Sequence, residues 1–149
     1  MESTSLASSA DADIVLKLYD LRREATMRLA RQWITVDFQP DSAEDVIAIL
    51  KSFGSQQNQY LRQVTGYWEM AASFVLRGAL DGELFVDCNG ENFLLLAKFY
   101  PFLDQIRAVS PEFLVRTEQL TLKLSGARSL FERLLKTFES QRAVAGGVR

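Results

Sequence analysis

The chain has 149 residues, 48% of them hydrophobic, 11% aromatic and 24% charged, with a formal charge of -2 and a pI of about 5.2. This composition excludes a disordered polymer and suits one domain that can bury a core without covalent staples. The absence of histidine and the presence of one cysteine, Cys88, exclude Ser-His-Asp and Cys-His catalysis, an intrachain disulfide and, in practice, a structural zinc site within one chain.

Residues 1–10 are rich in Ser, Ala and Thr and read as a disordered tail. They carry neither the basic nor the apolar region of a secretory signal, so the expected location is the cytoplasm. A single helical domain is expected over 11–142. Its first helix runs from Asp11 to about Val36, with Ile14, Leu18, Leu21, Ala25, Leu29, Trp33 and Val36 on one face at spacings of three and four. Glu24 and Arg28 form an i,i+4 pair on its polar side, and Pro40 prevents continuation.

Asp41 with Glu44 resembles a capping box opening a second helix, whose buried side is Val46, Ile47, Ile49, Leu50 and Phe53 and whose C-cap is Gly54. Ser55 caps a third helix over about 56–77. That helix is apolar around most of its circumference, which marks it as the central, buried one. Gly78 ends it. Asp81 then caps a short helical turn, and Asn89-Gly90 makes a corner. A further helix follows from about Glu91 to Ala108, kinked at Pro101. Ser110-Pro111-Glu112 signals a restart.

From there Phe113, Thr117, Leu120, Leu124, Ala127, Phe131, Leu134 and Phe138 recur by four and three, a heptad stripe over nearly four heptads. Gly126 interrupts it at a cost of roughly 1 kcal/mol against Ala. Either the helix runs through Gly126, or it breaks there and Ser125 caps a new one; the unbroken stripe favours a continuous helix, with a flexible tail over 143–149. The fold expected is all-α, a single bundle of five to seven helices with a long C-terminal heptad-patterned helix. Phe93 to Leu103, the most apolar stretch, is too short to span a bilayer and contains Lys98 and Pro101.

Motifs for chemistry are few. No phosphate-cradling glycine loop occurs. The acidic run Asp81, Glu83, Asp87, Asn89, Glu91 is broken by Leu84, Phe85 and Val86, unlike a calcium loop, and reads as two helix caps and a turn. No metal or cofactor is expected. Basic residues on the first helix (Arg22, Arg23, Arg28, Arg31) and the last (Arg116, Lys123, Arg128, Arg133, Lys136) are diluted by acidic neighbours, so a solvated face is read and no nucleic-acid partner. The sharpest anomaly is Glu69, a charge between Trp68 and Met70 on the central helix. It demands a partner, and Arg22, Arg62 and Arg107 are the candidates.

Tyr67-Trp68-Glu69, Arg77-Gly78-Ala79-Leu80-Asp81, Leu84-Phe85, Asn89-Gly90 and Pro101-Phe102-Leu103-Asp104-Gln105-Ile106-Arg107, with a weaker echo at 14–33, carry a resemblance. The chain resembles a group of uncharacterised bacterial helical proteins, domains of unknown function. The resemblance implies a bacterial, helical, cytoplasmic protein with Glu69, Asp81 and Arg107 as shared polar positions, and no activity. The function expected is therefore a non-enzymatic interaction or scaffolding domain. Its partner is an unknown protein or a second copy, met through the first and last helices, with Phe113, Leu120, Leu124, Phe131, Leu134 and Phe138 as the candidate interface. The alternative is a small apolar ligand in an aromatic pocket near Trp68, Phe74 and Phe99. An enzyme using Glu69 with Arg107 comes third.

Overall fold

The computed structural model describes residues 6–147, and these are all-helical. Nine α-helices occur among them: α1 (Ser9–Leu21), α2 (Ala25–Gln32), α3 (Ala43–Lys51), α4 (Gln56–Leu76), α5 (Gly82–Cys88), α6 (Glu91–Phe99), α7 (Leu103–Val109), α8 (Val115–Lys123) and α9 (Ser125–Gly147). A π-helical turn, Trp33–Asp37, extends α2, and a 3-10 turn, Tyr100–Phe102, joins α6 to α7. The count exceeds the expected five to seven because three helices read as continuous are broken.

Each break has a local cause. At 22–24 the Glu24 carboxylate does not pair with Arg28. It accepts the backbone N–H groups of Thr26 (3.0 Å) and Met27 (2.9 Å) and so caps α2. At Pro101 the chain tightens into the 3-10 turn, since proline has no N–H to continue the ladder. At Leu124 the backbone is extended (φ -117°, ψ 119°), which separates α8 from α9 and corrects the continuous last helix. The Leu124 side chain lies against Gly82, where an added Cβ would stand 2.8 Å from a Leu124 methyl. The hydrophobic stripe survives the break because Leu124 packs inward as an extended residue.

The ends also shift. Ser8 and Asp11 form a capping box, so α1 begins at Ser9, inside the stretch read as a tail, and α9 extends to Gly147. Residues 1–5 and 148–149 lie outside the described residues. The α3 cap falls on Ser42 rather than Asp41, with the Asp45 carboxylate reaching back to the Asp41 N–H. Phe53, expected inside, is 80% exposed beyond the end of α3. Gly54 (φ +86°) and Gly78 (φ +79°) adopt the left-handed turns their positions require.

α4 is the central helix. Leu61, Val64, Trp68, Ala71, Ala72 and Val75 are buried along it, and α2, α3, α5 and α8 pack around it. α6 is buried along nearly its whole length and is covered on its far side by α9. All six residues of the candidate interface stripe lie in this core or against it: Phe113, Leu120 and Phe131 are buried, and Leu124, Leu134 and Phe138 are half-buried. No helix of the described residues is long and apolar enough to cross a membrane.

Candidate functional site

Three polar clusters interrupt the apolar interior. The first ties α1 and α2 to α4 and α6. Arg31 donates through Nε to both carboxylate oxygens of Glu91 (2.9 and 3.1 Å), and the Trp68 indole N–H donates to the same carboxylate at 2.8 Å. Arg22 donates to Asn89 Oδ1 at 2.6 Å, and its guanidinium stands over the rings of Tyr19 (5.0 Å) and Trp68 (5.7 Å). The Tyr67 hydroxyl donates to the carbonyl of Leu18. Burial raises the Tyr67 phenol above its ordinary value, although Arg22 and Arg31 oppose the shift. A carboxylate read as part of a turn is thus the acceptor at the centre of the cluster. The sequence carries no signal for it, since Arg22 and Arg31 read as part of a solvated face.

Asp81 belongs to the edge of this region. Its carboxylate caps α5 through the Leu84 N–H (2.9 Å), and its own N–H donates to Asp11 (2.9 Å). Asp11 therefore closes the α1 capping box and joins α1 to α5. The Ser8 and Asp81 backbone N–H groups lower its pKa, as those of Thr26 and Met27 lower that of Glu24.

The second cluster answers the anomaly at Glu69. Its partner is neither Arg22, Arg62 nor Arg107. It is the N-terminus of α8: Glu69 accepts from the backbone of Arg116 (2.9 Å) and Thr117 (2.8 Å) and from the Thr117 hydroxyl (2.8 Å). The reason lies in the 110–114 turn. The expected restart at Pro111 does not form a helix. Phe113 and Leu114 turn into the core, and Leu114 takes a left-handed conformation (φ 53°) at the cap position, where it offers no acceptor. α4 supplies the missing cap, and a carboxylate at a helix N-terminus needs no cation. Arg107 braces the same turn, donating to the Phe113 carbonyl (3.0 Å) and pairing with Glu118 (2.9 Å). Glu69 and Arg107 both hold the first turn of α8 and the segment before it.

The third cluster centres on Lys98, in α6. It is 3% exposed, and its ammonium donates to the carbonyl of Ile34 (2.6 Å), in the π-helical turn. The ring of Phe38 lies 5.8 Å away. Among the described residues no carboxylate lies within ion-pairing distance of Lys98. Burial lowers its pKa to about 8 against a small opposing influence of Asp37. Beside it opens a cavity of about 220 Å³ lined by Gln39, Pro40, Asp41, Phe138, Gln141 and Arg142. The sequence showed Lys98 only as a charge within the most apolar segment.

The aromatic residues expected to line a pocket are packed as follows. Trp68 and Phe99 are fully buried and pack edge-on against Phe85 and Phe113 respectively. None of the cavities described among these residues is lined by Trp68, Phe74 or Phe99.

These features define an all-helical domain whose conspicuous charged side chains fasten one helix to the next. Residues 7–124 match the model of a family described as a domain of unknown function, DUF4760, and the chain belongs to that family. The matched segment ends at the break between α8 and α9. No curated protein and no solved structure matches the chain.

Proposed function

We propose that the domain is a protein-interaction module that pairs with a second copy of itself through the outer face of α1. The observation that carries this reading is the imbalance of that helix. Of its thirteen residues only Leu18 is buried, while Leu16 (63%) and Tyr19 (48%) stay exposed. The last helix, the other half of the expected interface, has its stripe against the chain's own core.

Two features make a second copy the fitting partner. Tyr19 is clamped by the guanidiniums of Arg22 (5.0 Å) and Arg23 (5.6 Å), which presents a stiffened aromatic anchor of the type that dominates binding energy. Asp13, Lys17 and Asp20 place both signs of charge along the helix, with Arg23 just past its end, so a copy related by a two-fold axis can offer each charge its opposite. A face one short helix long is at the small end of stable interfaces, so the pairing is weak and concentration-dependent.

Sedimentation velocity of the full chain tests this. The mass is expected to rise from 16.8 kDa towards a dimer as concentration increases, and Leu16→Glu with Tyr19→Glu to hold the chain monomeric with unchanged circular dichroism. A wild-type chain that stays monomeric at millimolar concentration overturns the reading.

A further inference from the structure

The chain has five lysines. Lys17, Lys51, Lys123 and Lys136 are exposed, and Lys98 alone is buried. One of its N–H groups is fixed on the Ile34 carbonyl at 2.6 Å, and the residue lines a half-open cavity that α9 borders on the other side. Arg142, Gln141 and Gln39 line the same cavity, with Asp41 its one carboxylate. A buried lysine beside such a space suits chemistry at the amine, because a desolvated ammonium yields its proton readily.

The geometry points to Lys98 as an imine-forming amine that takes a small oxo acid, its carbonyl carbon at Nζ and its carboxylate towards Arg142 and the two glutamines. The step balances without a redox partner. The ammonium first gives one proton to solvent; the amine lone pair attacks the carbonyl carbon, a C=N bond replaces the C=O, the oxygen leaves as water with the two amine protons, and a proton from solvent returns to the imine nitrogen. The protonated imine keeps one N–H, enough to retain the hydrogen bond to Ile34, and its charge faces the Phe38 ring 5.8 Å from Nζ. A pKa of about 8 leaves about a tenth of the amine unprotonated at pH 7. An ordinary lysine leaves about one part in three thousand.

The test uses the full chain, glyoxylate as the probe and borohydride to trap the imine, with peptide mapping to locate the label. Lys98 is expected to be labelled at least about tenfold faster than any of the four exposed lysines, given the difference in unprotonated fraction. Arg142→Ala, on the exposed part of α9, is expected to slow labelling by glyoxylate and leave labelling by acetaldehyde unchanged. Label that follows exposure and spares Lys98 overturns the proposal and leaves Lys98 as a cap on the π-helical turn. Label at Lys98 that is indifferent to Arg142 and to the probe's carboxylate overturns the oxo-acid assignment.

Discussion

The two ends of α6 treat charge in opposite ways. At its start Glu91, with a side chain only 16% exposed, meets the guanidinium of Arg31 and the indole N–H of Trp68. Two turns later Lys98 is more deeply buried and meets one carbonyl. Both reach the same stretch of chain, Arg31 to Ile34. The first end is compensated and fastens helices together. The second is under-compensated, a condition that a fold tolerates at a stability cost.

That contrast is broken most directly at Glu91. Glu91→Ala leaves Arg31 and the Trp68 N–H without their acceptor, and losing one partner of a buried pair costs about 3–5 kcal/mol. The pair is partly exposed here (29% and 16%), so about 2–3 kcal/mol is expected in urea unfolding, with α1 and α2 losing amide-exchange protection first. A loss below about 0.5 kcal/mol, the size of an exposed pair, would make the cluster ornamental.

Glu69 sharpens the comparison, because it is a compensated carboxylate with no cation. Glu69→Ala removes the cap of α8 and is expected to cost about 1–2 kcal/mol, the range of cap deletions. Glu69→Gln keeps one acceptor oxygen and is expected to cost about half as much. Amide exchange at Arg116 and Thr117 checks the assignment: both N–H groups should lose protection in Glu69→Ala, and one of the two in Glu69→Gln. Unchanged protection there would sink the capping role.

How far these sites were legible in the sequence follows from the range of the forces involved. α4 and its ends were legible because periodicity, Ser55 and Gly78 act within a few residues. The demand for a partner at Glu69 was legible for the same reason, from its apolar neighbours. Its partner was not, because Leu114 fails as a cap only once Phe113 and Leu114 have turned into the core. Glu91 lies 60 residues from Arg31 and 23 from Trp68, and nothing local distinguishes it from a solvated first-turn acid. The helix breaks at 22–24 and 124 were missed for a related reason. Apolar spacing runs through both, while a carboxylate cap in one and a leucine wedged against Gly82 in the other decide the backbone.

Lys98 gives the smallest net effect and the clearest sign. Its pKa is about 8 in the folded chain and 10.5 when unfolded. Below pH 8 it is charged in both states, and the folded state bears the full desolvation penalty. Between pH 8 and 10.5 the unfolded state binds more protons, so stability rises with pH through that window. Lys98→Met removes the penalty and the dependence together, but leaves the Ile34 carbonyl without its donor, worth about 1–3 kcal/mol. At pH 7 the variant should therefore match the wild type or exceed it by about 1 kcal/mol. At pH 9.5 the wild type should have gained about 2 kcal/mol relative to the variant, from a shift of this size. Tyr67, whose phenol burial raises above its ordinary value, adds an opposite slope only near the top of the window, and it does so equally in both chains. Urea midpoints of both chains at pH 7, 8.5 and 9.5 decide the matter. A constant gap would mean that Lys98 is as well compensated as Glu91, and the contrast between the two ends of α6 would fail.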